Sequence, residues 1–228
     1  PADAPYILPE AISFNDAVSL PNLQLALALM QAASPGHAPK PGSVLITGAA
    51  GGVATMLSQV ARHNGFKTFG TARSEDKRNF ALANGFDVVL DANPLTLVDQ
   101  VMSATGHAGV NLVYDHLGGA IFPACIRSLS PLGMAISYNI ITGKPDADVF
   151  GLLRELLGKS LGVRCFSMHT FDEDKNNRRS MMLQAIDWMA QGHVKAPASV
   201  VMNFDEVAQA HEILDKGLTL GKIVLRPH

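Results

Sequence analysis

Cysteine is scarce in this chain of 228 residues, which contains only Cys125 and Cys165. The two lie far apart in the sequence, so the chain has no C-x-x-C pair of the kind that binds structural metals or exchanges disulfides. Their spacing is compatible with one disulfide between them, but it does not predict a disulfide-stapled secreted fold. The simplest interpretation is a reduced cytoplasmic protein.

Charge and aromatic side chains are also sparse. Charged residues make up 17% of the chain, aromatic residues 6%, and the formal net charge is −2. This balance gives no electrostatic basis for binding nucleic acid or an anionic membrane surface. The longest apolar stretch, 23–33, is too short to span a bilayer and is interrupted by Gln24 and Gln31, and we expect no signal peptide. A hydrophobic content of 47% is typical of a globular α/β protein.

Strand-like and helix-like patterns alternate along the chain. Near-continuous apolar strands such as 110–115 are typical of a parallel sheet that is covered on both faces by helices. The spacing predicts strands at 43–48, 67–71, 87–90, 110–115, 133–138, 162–166, 199–203 and 221–226, and helices at 16–33, 52–64, 75–84, 94–105, 119–129, 149–157, 172–191 and 205–216. We therefore predict an α/β fold with a doubly wound parallel sheet, a Rossmann fold.

The turn after the first predicted strand is built from small residues. Small side chains let the backbone approach phosphate oxygens, and the first N–H groups of the following helix are unpaired donors at the positive end of a dipole. We therefore predict that Ala50, Gly51, Gly52 and Val53 bind the pyrophosphate of a dinucleotide.

The match of this turn to the pattern G-x-G-x-x-G is incomplete. Its three glycine positions are Ala49, Gly51 and Ala54, so only the middle one holds glycine. Alanine at the third position still permits close helix-to-strand packing, whereas alanine at the first weakens the match. A glycine-rich turn without a ligand is the alternative.

The end of the second predicted strand bears on the choice of cofactor. NAD sites place an acidic residue there to accept the ribose hydroxyls, whereas NADP sites omit it and place cations near the 2′-phosphate. The second strand does not end in an acidic residue. Thr71 is followed by Arg73, Ser74 and Lys77, with the carboxylates Glu75 and Asp76 between the last two. Arg73, Ser74 and Lys77 predict NADP(H) as the cofactor. The alternative is that Arg73 and Lys77 are solvated charges beside the neighbouring carboxylates.

The glycine-rich opening also fits the short-chain dehydrogenases, which require a Tyr-x-x-x-Lys pair. The three tyrosines of the chain are Tyr6, Tyr114 and Tyr138, and the residues four positions after them are Glu10, Gly118 and Thr142. Because none of these is lysine, the sequence excludes that family.

Motifs spread over nearly the whole chain resemble one family of oxidoreductases. They are Leu8-Pro9-Glu10-Ala11-Ile12-Ser13-Phe14 and Leu20-Pro21 near the start, Lys40-Pro41-Gly42 before the first strand, Gly48-Ala49-Ala50-Gly51-Gly52-Val53 after it, Tyr114-Asp115-His116-Leu117-Gly118-Gly119 after the fourth strand, and Gly221-Lys222-Ile223-Val224-Leu225 near the end. In this order they resemble the cofactor domain of the medium-chain dehydrogenase/reductase superfamily, in its zinc-independent quinone oxidoreductase (zeta-crystallin-like) branch. Ala54 departs from the usual glycine, and Asp91-Ala92-Asn93 stands where an aromatic residue often follows the third strand.

The resemblance implies NADPH-dependent hydride transfer to a small-molecule quinone or α,β-unsaturated carbonyl compound. Members of the family begin with a GroES-like catalytic domain of roughly a hundred residues, and this chain starts with Pro1 at a point that lies just after it. We therefore expect a piece that binds NADPH but reduces little, with a lead-in segment and helix at 1–40, an NADP-binding domain at 41–194 and a return segment at 195–228. An enoyl reductase module of a larger synthase and a non-catalytic NADPH sensor or scaffold are the alternatives.

The resemblance also implies further site residues. Ligands bind at the carboxyl ends of parallel strands, so His116, Leu117, Tyr138 and Phe166 are candidates to border the ribose and nicotinamide. Tyr138 is a candidate for proton delivery, although a packed strand aromatic is the more usual role. No cysteine stands near 20–22, where the zinc-dependent relatives place a metal ligand, so we expect no zinc. A homodimer through an edge strand at 134–141 or 162–166 is a further expectation.

Overall fold

Six parallel strands form the main sheet of this computed structural model, which describes residues 5–33 and 42–227. The strands are β1 (Ser43–Ile46), β2 (Lys67–Ala72), β3 (Val88–Asp91), β4 (Val110–Asp115), β5 (Leu129–Ser137) and β6 (Gly162–Cys165). Their order across the sheet is β3-β2-β1-β4-β5-β6. Since the order reverses between β1 and β4, ligands are expected in the crevice at the carboxyl ends of these two strands.

Helices cover both faces of this sheet, as predicted. They are α1 (Phe14–Ala17), α2 (Leu20–Ala32), α3 (Gly52–His63), α4 (Glu75–Ala83), α5 (Leu97–Ala104), α6 (Ile121–Arg127), α7 (Val149–Glu155), α8 (Lys175–Ala190) and α9 (Val207–Asp215). One hydrophobic cluster joins the sheet to α2, α3 and α8, and a second joins it to α5 and α6. The fold is therefore the predicted doubly wound α/β sheet. None of the helices in the described part of the chain is long and apolar enough to cross a membrane.

Strand β1 contributes apolar side chains to both faces of the main sheet. Val44 and Ile46 belong to the first hydrophobic cluster and Leu45 to the second, and all three are fully buried. Successive side chains of a strand point to opposite faces, so a strand between two helical layers must be apolar at every position. This requirement explains why apolar and polar residues do not alternate along β1, as they would in a half-exposed strand.

The first helical stretch was predicted as one helix over 16–33, and this is wrong, because two helices occupy it. A continuous helix would need the N–H of residue 21 to bond to the carbonyl of Ala17, and Pro21 has no N–H. In the structure α1 ends at Ala17, and Pro21 lies in the first turn of α2, where the missing donor costs nothing. The other boundaries differ by a few residues, the largest shift being the earlier start of β5 at Leu129.

The sheet edges differ in part from the sequence-based expectation. Segment 134–141 was a candidate edge strand, but β5 pairs with β4 on one side and β6 on the other, so this expectation is wrong. The edges of the main sheet are β3 and β6. The predicted edge at 162–166 therefore corresponds to β6.

The C-terminal segment folds back onto the glycine-rich turn. β7 (Ser199–Asn203) and β8 (Lys222–Arg226) form a separate parallel pair. The N–H of Gly221 donates to the carbonyl of Ala50 at 3.1 Å, and Gly51 forms an isolated bridge with Gly221. These contacts place the end of the chain beside the crevice between β1 and β4.

Candidate functional site

A cleft of about 680 Å³ opens at the carboxyl edge of the sheet. Its floor is the turn after β1, and its sides are the segments that follow β2, β3 and β4. The segment after β5 and the loop between α9 and β8 complete the wall. This is the place where ligands bind in open α/β sheets, because the connections diverge there and leave a crevice.

The floor of the cleft is the glycine-rich turn. Gly48 has a φ of +62°, a left-handed conformation that glycine adopts without a steric penalty. Gly51 is extended and precedes the first turn of the twelve-residue helix α3, which contains no acidic residue. The first N–H groups of a helix have no intrahelical acceptor. This end of α3 therefore offers backbone donors and a positive dipole to an anion.

Two cations lie on the β2 side of the cleft. Lys77 donates through its Nζ to the carbonyl oxygen of Gly217, and Arg73 lies close to the same glycine. Burial, and then the neighbouring Arg73, lower the pKa of Lys77. Within the described ranges neither residue forms an ion pair with Glu75 or Asp76, which are exposed in the first turn of α4. The alternative that these cations are solvated charges agrees with Arg73, which is exposed, but less well with Lys77, which is half-buried and bonded to Gly217.

A buried carboxylate organises the turn after β4. Asp115 is fully buried and accepts hydrogen bonds from Thr47 Oγ1 at 2.8 Å, from the N–H of Gly118 at 2.9 Å and from the N–H of Leu117 at 3.3 Å. Burial raises the pKa of Asp115, and these three hydrogen bonds oppose the increase. The sequence signal for this segment is its position at the carboxyl end of an apolar strand, from which 115–118 is expected to border the ribose and nicotinamide. The hydrogen bonds of Asp115 fix the backbone that carries His116 and Leu117.

His116 lies between the glycine-rich turn and Tyr138. A Cβ placed on Gly48 would lie 2.3 Å from His116 Cε1, so the imidazole occupies the space that a side chain would need there. Its Nδ1 is 3.4 Å from Tyr138 Oη. Burial lowers the pKa of His116 to about 4, although a hydrogen bond between the imidazole and the backbone of Thr47 acts in the opposite direction. The ring is therefore neutral at physiological pH.

The low pKa of His116 predicts a pH dependence of stability. In the unfolded chain this imidazole titrates near 6.5, so between pH 6.5 and 4 the unfolded state binds more protons than the folded state. The free energy of unfolding should decrease as the pH falls through this window, with a contribution from His116 of about 3 kcal/mol. Urea denaturation of the unmodified chain and of His116→Gln from pH 4 to 8 measures it, since the variant should lack this part of the decrease. Parallel stability curves for the two proteins would contradict the assignment.

The structure brings most of the predicted site residues together. Those that line the cleft are Ala50, Gly51, Thr71, Arg73, Lys77, His116 and Leu117. Gly52 and Val53 form the first turn of α3 directly behind Gly51. The hydroxyl of Ser74 accepts a hydrogen bond from the N–H of Lys77 and caps α4, so it has a structural partner.

The two predicted aromatic residues do not line the cleft. Tyr138 lies behind His116 and packs against the first hydrophobic cluster. Phe166 packs against the same cluster and lies 6.2 Å from Phe171 between ring centroids. The side chain of Phe166 therefore contributes to packing after the edge strand β6.

Several cleft residues were not predicted from the sequence. Ile141 and Thr142 reach the cleft because their N–H groups donate to the carbonyls of His116 at 3.1 Å and Leu117 at 2.8 Å. Thr219 lies in the loop before β8, and its buried Oγ1 has no hydrogen-bond partner in the described part of the chain. This orphaned hydroxyl in the cleft wall is a polar group that a bound ligand could satisfy.

The donor set for a metal ion is incomplete. Across residues 5–33 and 42–227 there is no group of three or more histidine, cysteine, aspartate or glutamate side chains that could hold a metal. Catalytic zinc needs three protein ligands and an open position. The described residues therefore do not fit a zinc centre.

Comparisons with known proteins relate the chain to oxidoreductases. A family model described as zinc-binding dehydrogenase matches residues 84–225. The quinone oxidoreductase of Sus scrofa is 28% identical, with 98% of this chain and 66% of that protein covered. The hybrid PKS-NRPS synthetase pynA of Aspergillus niger is also 28% identical, with 100% of this chain and 6% of that protein covered. The chain thus spans about two thirds of one curated relative and a small part of the other.

A solved structure agrees with the fold. The crystal structure of Escherichia coli quinone oxidoreductase complexed with NADPH has a TM-score of 0.85 and 26% sequence identity. The match covers 99% of this chain and 69% of that one. The six-stranded sheet and its helices therefore have the arrangement found in that oxidoreductase.

Proposed function

Because this chain belongs to the zinc-binding dehydrogenase family, we propose that it forms the NADPH-binding part of an oxidoreductase. The reaction is hydride transfer to a quinone or an α,β-unsaturated carbonyl compound. The porcine and Escherichia coli relatives described above support this class of reaction, and the cleft supports the cofactor.

One observation carries the assignment of the cofactor. A helix N-terminus that can receive a pyrophosphate lies in the same cleft as Arg73 and Lys77, and the tip of β2 has no acidic residue. A dinucleotide with a 2′-phosphate needs these two anion sites together, whereas an acid at the strand tip would favour NAD. The hydroxyl of Thr219 in the same cleft adds a donor that has no partner in the described part of the chain.

The residues of the chain would bind and orient the cofactor. The backbone N–H groups at the start of α3 would hold the pyrophosphate, and Arg73 and Lys77 would hold the 2′-phosphate. When bound, NADPH supplies the hydride, so the protein contributes position and electrostatics. Asp115 fixes the backbone of His116 and Leu117, which form the wall of the cleft on the side of β4.

We further propose that the reaction does not depend on zinc. The donor set supports this, since the described residues provide no three-ligand group. Polarisation of the substrate carbonyl would then come from hydrogen-bond donors of the protein.

A second candidate function is the enoyl reductase module of a larger synthase. The match of the whole chain to a small part of the Aspergillus niger synthetase favours it. The two candidates share the cofactor cleft and differ in the substrate. A nucleotide-binding role without catalysis is the third possibility.

The experiment combines binding with turnover. The chain, and any longer natural chain that contains it, is titrated with NADPH, and oxidation of NADPH is then followed with a quinone or with an enoyl thioester. Saturable NADPH binding with faster turnover of the quinone supports the first candidate, and faster turnover of the thioester supports the second. Binding without turnover of either by the longer chain would favour the non-catalytic role. Failure to bind NADPH would overturn the proposal.

A further inference from the structure

His116 and Tyr138 form a pair at the edge of the cleft. The distances to Gly48 show that the Cε1–Nε2 edge of the imidazole faces the glycine-rich turn, since a Cβ on that glycine would be 2.8 Å from Nε2 and 3.5 Å from Nδ1. The opposite nitrogen, Nδ1, is 3.4 Å from Tyr138 Oη. The two ring nitrogens of His116 therefore have different neighbours, namely the phenol and the floor of the cleft.

The protons of this pair can be assigned by counting donors and acceptors. A neutral imidazole has one N–H and one bare nitrogen, and a phenol has one O–H. Among the hydrogen bonds of the described residues, Nδ1 of His116 is the one acceptor found for the hydroxyl of Tyr138. If Nδ1 carried the proton, the phenol hydrogen would have no acceptor, and a bare Nε2 would face the turn. If Tyr138 donates to Nδ1, the phenol hydroxyl and Nδ1 both have a partner. The hydrogen of the imidazole then lies on Nε2.

The surroundings hold both groups in the required charge state. Burial raises the pKa of Tyr138, and the charge of Asp115 raises it further, so the phenol keeps its hydrogen. Burial has the opposite effect on His116 and keeps the imidazole neutral. A neutral ring held by a fixed neighbour is the arrangement that selects one tautomer.

We propose that Tyr138 is a positioning residue that holds His116 in the Nε2–H tautomer, and that His116 donates this hydrogen to an oxygen of the bound cofactor near the glycine-rich turn. The acceptor is an oxygen of the nicotinamide-side phosphate or of the ribose attached to it. This inference rests on the proposed function, because it needs the dinucleotide in the cleft. It gives Tyr138 a role although its side chain does not line the cleft.

The first test reads the tautomer directly. In the unmodified chain, the ¹⁵N chemical shifts of the His116 imidazole should show a proton on Nε2 and none on Nδ1. Tyr138→Phe keeps the ring and removes the hydroxyl, so the spectrum should change to a mixture of tautomers or to Nδ1–H. Tyr114→Phe is the matched control, because it removes a buried hydroxyl that contacts Met30 and should leave His116 unchanged. A proton on Nδ1 in the unmodified chain, or a spectrum unaffected by Tyr138→Phe, would overturn the proposal.

The second test measures binding of two ligands. NADPH contains the diphosphate and both riboses, whereas 2′,5′-ADP keeps the adenosine with its 2′-phosphate and a single 5′-phosphate. His116→Leu removes the donor and should weaken NADPH binding about tenfold, as expected for a hydrogen bond to a charged group. Tyr138→Phe should weaken it severalfold in the unmodified background and should have no effect in the His116→Leu background. Neither substitution should change the affinity for 2′,5′-ADP.

The two ligands separate this proposal from the proposed function. If 2′,5′-ADP binds and His116→Leu leaves the affinity for NADPH unchanged, the cleft is assigned correctly and the role of His116 is wrong. If His116→Leu weakens both ligands equally, the substitution has disturbed the cleft as a whole and the specific hydrogen bond is again contradicted. If the unmodified chain binds neither ligand, the proposed function and this inference both fail. 2′-Phospho-ADP-ribose lacks only the nicotinamide and keeps the diphosphate and both riboses, so His116→Leu should weaken its binding about as much as that of NADPH. An unchanged affinity would contradict the proposed acceptor.

Discussion

Replacing Arg73 and Lys77 together by alanine should weaken NADPH binding by about a hundredfold or more, because each charge-assisted hydrogen bond contributes about 1.5–3 kcal/mol. Binding of NADH should change by less than about twofold, because NADH has no 2′-phosphate for the cations to contact. The reason lies in the cleft, where both side chains approach Gly217 and are not ion-paired within the described ranges. Isothermal titration of both cofactors against both proteins measures the effect.

Arg78→Ala is the matched control for this experiment. Arg78 lies on the same helix α4 and its loss changes the net charge in the same direction, but the residue does not line the cleft. A general electrostatic effect would weaken NADPH binding in this variant as well, whereas a specific 2′-phosphate site would leave it nearly unchanged. Equal losses for NADPH and NADH in the double variant would contradict the proposed site.

Gly48→Ala should destabilise the fold by about 2–5 kcal/mol, the sum of two separate costs. The first is the left-handed backbone at a φ of +62°, which costs an alanine about 1–2 kcal/mol. The second is the clash between the new Cβ and His116 Cε1, which would be 2.3 Å apart. His116 cannot move freely, because its N–H donates to Thr47 Oγ1, Asp115 holds the two residues that follow it, and Tyr138 contacts its ring. Chemical denaturation of the variant measures the total.

Two further variants separate these costs. Gly65 has a φ of +82°, and no atom lies within 4 Å of the position that a Cβ would occupy there, so Gly65→Ala measures the backbone cost alone. In the background of His116→Ala, Gly48→Ala should also cost only this smaller amount, because the clash is gone. If Gly48→Ala costs the same with and without the imidazole, the packing of His116 against the turn is wrong.

The framework of the site follows from local sequence. The apolar strands β1 and β4, the small residues between β1 and α3, and the cations after β2 are all read from neighbouring residues, and the structure places them at one edge of the sheet. Each depends on backbone preferences or on the burial of a strand between two helical layers. The break in the first helix has the same local character, because the missing N–H of Pro21 prevents one continuous helix over 16–33.

The remainder of the cleft depends on tertiary contacts that no local pattern encodes. Ile141 and Thr142 line it because the segment after β5 pairs with the turn after β4, and Thr219 lines it because β8 returns to the glycine-rich turn. The contact between Gly48 and His116 joins residues from two strands that are neighbours only in the folded sheet. For the same reason the sequence does not predict that Tyr138 lies against His116.

Paired titration of the unmodified chain with NADPH and NADH tests the central claim most directly. The structure places cations at the end of β2 and no acidic residue at its tip. It therefore predicts saturable binding of NADPH that is at least about tenfold tighter than that of NADH. Equal affinities for the two cofactors, tighter binding of NADH, or no binding of either would contradict the assignment of this cleft to NADPH.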